Sequence, residues 1–257
     1  MPIEFFKYQG TGNDFVLIDN RLKSFNKKNT KLVAQMCDRK FGIGADGLIL
    51  LENHPSVDFN MVYYNSDGNL SSMCGNGGRC ITHFAKYLGV IETEATFEAV
   101  DGMHKALIKN DKISLGMNDV EKVTVSKDYV FLNTGSPHHV QLVSNVEKFD
   151  VFLEGRRIRN ETYGKAGANV NFVEQVSDNT FKVRTYERGV EDETLSCGTG
   201  VTAVALAMFE TGKTVSQSVL LETPGGTLEV QFLKSGNRYK DIKLVGPAVQ
   251  VFKGVWE

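Results

Sequence analysis

Apolar positions in this chain form short runs bounded by polar or glycine-rich breaks. Phe15 to Ile18, Leu48 to Leu51 and Phe59 to Tyr64 read as strands, as do Asn171 to Glu174 and Phe181 to Tyr186. Asp58 to Tyr63 and Thr180 to Thr185 partly alternate, the pattern of half-buried strands. Only two stretches carry a clear helical pattern, and each follows a Cys-Gly-x-Gly. The first is predicted from about Gly77 to Leu88, closed by Gly89. The second runs from about Gly200 to Glu210, closed by Gly212. The second, with Val201-Thr202-Ala203-Val204-Ala205-Leu206-Ala207-Met208, is apolar almost all round and is predicted to be buried.

The two series of elements repeat each other. Cys74-Gly75-Asn76-Gly77 returns as Cys197-Gly198-Thr199-Gly200, an offset of 123 (197 − 74). Thr11-Gly12 returns as Thr134-Gly135 and Ala45-Asp46-Gly47-Leu48 as Ala168-Asn169-Val170-Asn171, both at 123. Tyr64-Asn65 matches Tyr186-Glu187 at 122, and Glu98 with Gly102 matches Glu222 with Gly226 at 124. A duplication is predicted: an N-terminal domain over residues 1–116 and a C-terminal domain over 117–246. Each is a curved sheet around its helix. The tail, 247–257, lies beyond the second copy and is expected to return to the first as an added strand.

Composition narrows the classes of function. The 257 residues are 41% hydrophobic and 23% charged, with a net charge of -2. That balance gives no electrostatic reason to expect nucleic acid or an anionic membrane as partner. Arg156-Arg157 and Lys27-Lys28 read as solvated surface. No window approaches the ~18 apolar residues of a membrane helix, and Met1-Pro2-Ile3-Glu4-Phe5-Phe6-Lys7 does not read as a signal peptide. A cytoplasmic location follows as the expectation, in which the four cysteines stay thiols.

Two of those thiols stand where chemistry is expected. Cys74 and Cys197 each precede a glycine-rich turn at the start of a buried helix, where unpaired backbone N–H groups attract anions and lower a thiol's pKa. If the halves pack about a pseudo-twofold axis, the two sulfurs face each other across the interdomain cleft. Two thiols flanking one anchored carboxylate suit inversion of a stereocentre: a thiolate removes the α-proton and the opposite thiol supplies another. Buried cysteine often serves only as a small hydrophobe, and Cys37 and Cys80, which have no counterparts, read that way. A redox pair is a further possibility for two facing thiols. No Cys-x-x-Cys or His-x-x-x-His spacing suggests zinc.

Met73-Cys74-Gly75-Asn76-Gly77-Gly78-Arg79-Cys80, Ser196-Cys197-Gly198-Thr199-Gly200 and Gly10-Thr11-Gly12-Asn13-Asp14-Phe15 resemble, in order, the signatures of the diaminopimelate epimerase family. The resemblance implies an α/β (α+β) fold of two pseudo-symmetric domains, each a mixed sheet around a central helix. It implies interconversion of LL- and meso-2,6-diaminopimelate, on the route to lysine and peptidoglycan precursors. No cofactor and no metal take part, and members are commonly homodimers. By the same resemblance Cys74 and Cys197 are the acid/base pair. The backbone of Gly75, Asn76, Gly198 and Thr199 holds the α-carboxylate, and Asn13, Asn65 and Asn169 orient the substrate. Glu187 and Arg188 read its distal amino-acid group, and His138 sits near the thiols and supports their ionisation.

Each polar residue has a plainer reading. Asn65-Ser66-Asp67-Gly68 is a turn motif in its own right. Glu187 with Arg188 suits a surface ion pair, and His138 suits a packed core. His54, His83, His104 and His139 read as structural or surface residues. Three positions depart from the family: Gly47 replaces a glutamine found in some members, Ser136 an asparagine and Gly78 the commoner alanine. Two rivals remain. One is a proline or hydroxyproline racemase of the same fold, which has no distal group for Glu187 and Arg188. The other is a non-catalytic amino-acid-binding protein, which needs the turns but not the sulfurs.

Overall fold

The computed structural model describes residues 2–71 and 73–257. The chain divides into two compact units, residues 1–115 with 246–257, and residues 116–245. The first contains β1 (Ile3–Gly10), β2 (Asn13–Asp19), α1 (Thr30–Cys37), β3 (Gly47–Glu52), β4 (Phe59–Asn65), α2 (Gly75–Tyr87), β5 (Glu94–Ala99), β6 (Gly102–Lys109) and β7 (Lys112–Gly116). The second contains β8 (Val123–Val125), β9 (Val130–Asn133), β10 (Pro137–Leu142), α3 (Val151–Glu161), β11 (Asn169–Ser177), β12 (Thr180–Glu187), β13 (Asp192–Thr194), α4 (Gly198–Glu210), β14 (Ser218–Thr223), β15 (Gly226–Ser235) and β16 (Arg238–Pro247). The last strand, β17 (Val249–Trp256), belongs to the first unit.

Pairing in the two units follows one scheme. In the first, the order β17-β1-β2-β3-β4-β5-β6-β7 is parallel at β2/β3 and β4/β5 and antiparallel elsewhere. In the second, β8-β9-β10-β11-β12-β14-β15-β16 is parallel at β10/β11 and β12/β14 and antiparallel elsewhere. The short β13 is an addition, folded back on β12. One connection breaks the likeness. β8 immediately precedes its partner β9, whereas β17 comes from the far end of the chain to pair Ile3 with Trp256 and Gln9 with Val249.

The strand runs read from the sequence lie within β2, β3, β4, β11 and β12. Both signature helices start two residues earlier than predicted, at Gly75 and Gly198. The cysteine ahead of each is extended (φ -112°, ψ 123° at Cys74; φ -123°, ψ 112° at Cys197) and serves as N-cap. Its carbonyl closes the first turn, accepting from Gly78 N at 2.7 Å and from Val201 N at 2.9 Å. The glycines therefore form the first helical turn rather than preceding it. Both helices end alike. Gly89 and Gly212 take left-handed φ of 69° and 67°, and the flanking amides bond back as Gly89 N to Lys86 O and Val90 N to Ala85 O, and as Gly212 N to Phe209 O and Lys213 N to Met208 O. A left-handed residue there suits glycine, which lacks the Cβ clash.

The expectation of one helix per half is corrected: α1 and α3 add a second. α3 is capped by Asp150, whose side chain accepts from Leu153 N at 3.0 Å. It buries only Val151, Gly155 and Ile158. Arg157 stays on its outer face, paired with Glu154 and Glu161. So polar a sequence gives little apolar periodicity to read.

The second unit has one core around α4 and another beneath α3, and the first has a core beneath α1 besides the buried side of α2. α4 packs on β9, β10, β11, β12, β14 and β15, and Val201 through Met208 are all buried. Val201, Val204, Leu206 and Met208 each contribute roughly 1.5–3 kcal/mol of burial. α2 packs on β1, β2, β3 and β6. It buries Cys80, Ile81, Phe84 and Ala85, but also Arg79 and Thr82. Among the described residues, no helix is long and apolar enough to cross a membrane.

Candidate active site

In the first unit, Cys74 lies at the mouth of α2 beside the turn between β1 and β2. Its Sγ is 3.4 Å from Asn13 Oδ1, to which the thiol donates. Asn76 Nδ2 donates to the same oxygen at 3.3 Å, and Asn13 Nδ2 donates to Asp46 Oδ2 at 2.5 Å. Asp46 is fixed in turn by Arg39, which also grips Asp14 with both terminal guanidinium nitrogens. Burial alone would raise the Asp14 carboxyl, but Arg39 and Lys7 outweigh it and hold the pKa down at about 2.

Arg79 underlies this cluster. It is fully buried and donates to Thr11 Oγ1 at 3.1 Å, Pro247 O at 3.2 Å and Gly75 O at 3.4 Å. These partners are all neutral. Burial lowers its pKa to about 10, so it stays charged near neutrality. Sequence reading missed it, although it sits inside the signature motif. Cys80 behind it, like Cys37, is pushed up to about 12 by burial. Both are inert thiols at neutral pH.

Asn65 ends β4 and is exposed. Its backbone N–H bonds to Asn69 O and its carbonyl accepts from Gly68 N, the turn that its sequence describes. Gly47 lies opposite it in the β3/β4 ladder. A Cβ on Gly47 would stand 2.4 Å from Tyr64 O and 2.5 Å from Tyr63 Cε2. Tyr63 therefore occupies the space that a larger residue at 47 would need. Methyl space at Gly78 is likewise filled, by Met73 Cε at 2.4 Å and Leu115 Cδ2 at 2.9 Å from where a Cβ would be.

In the second unit, Cys197 is almost wholly buried at the mouth of α4. Its Sγ is 3.5 Å from Thr199 Oγ1, which lies 2.9 Å from His138 Nε2. His138 is held on its other side by Asn171, whose Nδ2 is 3.2 Å from His138 Nδ1 and 2.9 Å from the carbonyl of His139. Thr185 donates to Asn171 Oδ1 at 3.0 Å. Only glycine at 200 permits this approach, since a Cβ there would be 2.6 Å from Asn171 Oδ1. Asn169 Oδ1 accepts the backbone N–H of Arg188 at 2.8 Å. At the end of β12, Glu187 accepts from Thr194 Oγ1 at 2.9 Å, and exposed Arg188 donates to Ala166 O at 3.0 Å. Asn171, Thr185 and the hydroxyl of Thr199 were not foreseen. Their signal was positional: Thr199 occupies the repeat position of Asn76.

Burial, reinforced by the Arg188 charge, lowers the His138 pKa to about 3, far under the ordinary 6.5. A neutral histidine in the fold that takes a proton when unfolded stabilises the protein above pH 6.5. That contribution is lost as pH falls from 6.5 toward 3. Moving from pH 7.5 to pH 5 should cost ~2 kcal/mol through this residue. Urea titrations at the two pH values should show the loss in the wild type and a smaller one in His138→Gln. Burial also lowers His139 and His83, so the variant retains part of the slope. His139 stacks on Tyr129 and bonds Tyr163, and His83 bonds Tyr8. His54 and His104 pair with Glu98 and Asp101. Among the described residues, no three of His, Cys, Asp and Glu converge as metal ligands.

The model of the diaminopimelate epimerase family matches residues 5–123 and 130–251. The chain is 59% identical over 253 residues to the diaminopimelate epimerase of Flavobacterium psychrophilum, covering 98% of this chain and 99% of that one. This chain belongs to the diaminopimelate epimerase family. The diaminopimelate epimerase of Aquifex aeolicus is 42% identical, covering 98% and 97% of the two chains. Among solved structures, a Bacillus anthracis phenazine biosynthesis protein superposes with a TM-score of 0.77 at 14% identity, covering 100% of this chain and 99% of that one. A hydroxyproline epimerase from Agrobacterium vitis superposes with a TM-score of 0.71 at 14% identity, covering 99% and 92%. At such identities the likeness extends to the fold alone. Within the diaminopimelate epimerase family, then, this chain carries both signature cysteines, each as the N-cap of a 13-residue helix.

Proposed function

We propose that the chain interconverts LL- and meso-2,6-diaminopimelate by a two-base mechanism, with Cys74 and Cys197 as the acid/base pair and no cofactor. The observation that carries the reading is the near-full-length 59% identity to a diaminopimelate epimerase, with a cysteine at the start of each duplicated helix. Inverting the α-carbon needs a base on one face and an acid on the other. One sulfur takes the α-proton as thiolate while the other gives its proton, and their roles exchange with the substrate's hand. First-turn N–H groups of Gly75, Asn76, Gly198 and Thr199 hold the carboxylate and stabilise its enediolate character in the transition state.

In this reading Asn13, Asn65 and Asn169 orient the substrate, and Glu187 with Arg188 recognises its distal amino-acid group. An arginine fork and a carboxylate match that group's two charges. Proline has no distal carboxylate or ammonium for them to read. Family membership also supports a cytoplasmic homodimer in lysine and peptidoglycan-precursor synthesis.

LL-diaminopimelate supplied in deuterium oxide, without added cofactor, should be converted to the meso isomer with deuterium at one α-carbon. Unlabelled product would exclude proton exchange through a thiol, and absence of turnover would overturn the assignment of substrate.

A further inference from the structure

Arg188 stands on a loop that works against its own backbone preference. Strands β12 and β13 pair Glu187 with Asp192, and Glu191 N closes the loop between them, donating to Glu187 O at 2.8 Å. Within that loop Gly189 and Glu191 both take left-handed φ, 94° and 59°. Glycine adopts this region freely, whereas a side chain there crowds the backbone. A residue so strained persists only where its surroundings over-determine it.

Those of Glu191 do. Its carboxylate takes three bonds: Oε1 accepts from Gly189 N at 3.1 Å and Arg159 Nε at 3.0 Å, and Oε2 accepts from the Tyr186 hydroxyl at 3.2 Å. Burial alone would raise its pKa, but these donors outweigh it and hold the carboxyl below its ordinary range. One of the three comes from another element. Arg159 lies in the last turn of α3, and α3 is seated close on β12, since a Cβ at Gly155 would be 2.3 Å from Tyr186 Cβ.

From α3, Arg159 also reaches the loop that leads to β11, where its Nη1 donates to Gly164 O at 3.0 Å. Arg188 joins the same two segments, running from the hairpin to Ala166 O, to which its Nη1 donates at 3.0 Å. The two arginines meet at Gly167, where a Cβ would be 2.9 Å from Arg159 Cζ and 3.0 Å from Arg188 Cδ. The segments that fix both ends of the Arg188 side chain are therefore tied to each other through Arg159 and Glu191.

We propose that Glu191, anchored by Arg159, is a positioning residue that sets the Arg188 guanidinium to receive the distal carboxylate of the substrate. The pair contributes little to the fold itself, because Glu191 is exposed and exposed ion pairs are weak. Its effect is on where one side chain stands. The assignment rests on Arg188 reading the distal amino-acid group.

Dissociation constants for diaminopimelate at its LL/meso equilibrium are measured by titration calorimetry on the full chain, Glu191→Gly, Arg188→Ala and the double variant. Thermal midpoints are recorded alongside. Glycine suits the backbone at 191, so Glu191→Gly should melt within about 3 °C of wild type. It should nevertheless weaken binding about three- to tenfold, against tenfold or more for Arg188→Ala. Glu191→Gln, which keeps an acceptor oxygen, should recover part of the loss. In the Arg188→Ala background, Glu191→Gly should change binding less than about twofold, because the side chain it sets is gone. Unchanged binding in Glu191→Gly, or an equal loss with and without Arg188, overturns the assignment and leaves the substrate reading standing. If Glu191→Gly fails to fold, Glu191→Gln takes its place in the cycle under the same criteria. Wild-type affinity in Arg188→Ala would remove the distal-group reading and this assignment with it. A wild type that does not bind diaminopimelate would remove the substrate reading and both.

Discussion

Cys74→Ala and Cys197→Ala should each lower the rate of diaminopimelate epimerisation by at least about 10²–10⁴-fold, the range for losing one general acid or base. Both losses should be of this size, because the proton must leave one face and arrive at the other in every turnover. The fold should survive. Serine, threonine, aspartate or asparagine at an N-cap commonly stabilises a helix through its side chain, but neither cysteine makes a side-chain capping bond. Their removal therefore leaves the helix starts intact. Far-ultraviolet circular dichroism and the thermal midpoint should be nearly unchanged in both. If either variant keeps more than about a tenth of the activity, the two-base mechanism is wrong. If either unfolds, the thiol carries structural weight that the capping geometry does not indicate.

Arg79→Leu should destabilise the protein by about 1–3 kcal/mol in urea denaturation. The guanidinium joins the first turn of α2 at Gly75, the β1/β2 turn at Thr11 and the start of the returning tail at Pro247. Leucine would remove the guanidinium bonds to Thr11 Oγ1, Pro247 O and Gly75 O. Arg79→Lys keeps the charge but not the planar fork that reaches three directions, so it should recover only part of the loss. A midpoint equal to wild type would mean that water satisfies those carbonyls. Activity of the arginine variants should fall further than stability alone requires, because Thr11 no longer orients Asn76 and Asn13 beside Cys74.

What was readable in the sequence follows from where information is local. A repeated Cys-Gly-x-Gly is contiguous, and so are the glycine stops at 89 and 212; both located their helices closely. Helix starts were read two residues late because glycine is a poor helix former, and only the extended backbone of the cysteine shows that the helix begins beside it. α3 hid behind its arginines. The polar partners of the thiols were the least legible. Asn171 and Thr185 are brought to His138 by strand pairing between β10, β11 and β12, and no local pattern marks an asparagine that will aim an imidazole. Asn13 and Asn76 were legible as site residues because they lie inside motifs, but the direction in which their amides point was not. Arg79 lay in plain view within the signature, yet nothing in a one-dimensional reading says that an arginine will be fully enclosed with only neutral partners.

β17 bears on how the protein is made. The ribosome delivers β1 to β7 first, yet β17, which pairs with β1 on the side away from β2, is the last of the described strands to emerge. The carboxy-terminal unit, by contrast, is continuous in sequence from 116 to 245 and has its own β8 in place of the late strand. During vectorial synthesis the usual order is reversed: the second unit has all its strands while the first still presents an open β1 edge. Until residues 249–256 arrive, that edge is exposed to other chains in the way unpaired sheet edges are. For the amino-terminal unit, completion of the sheet waits on a strand made only after the whole of the second unit.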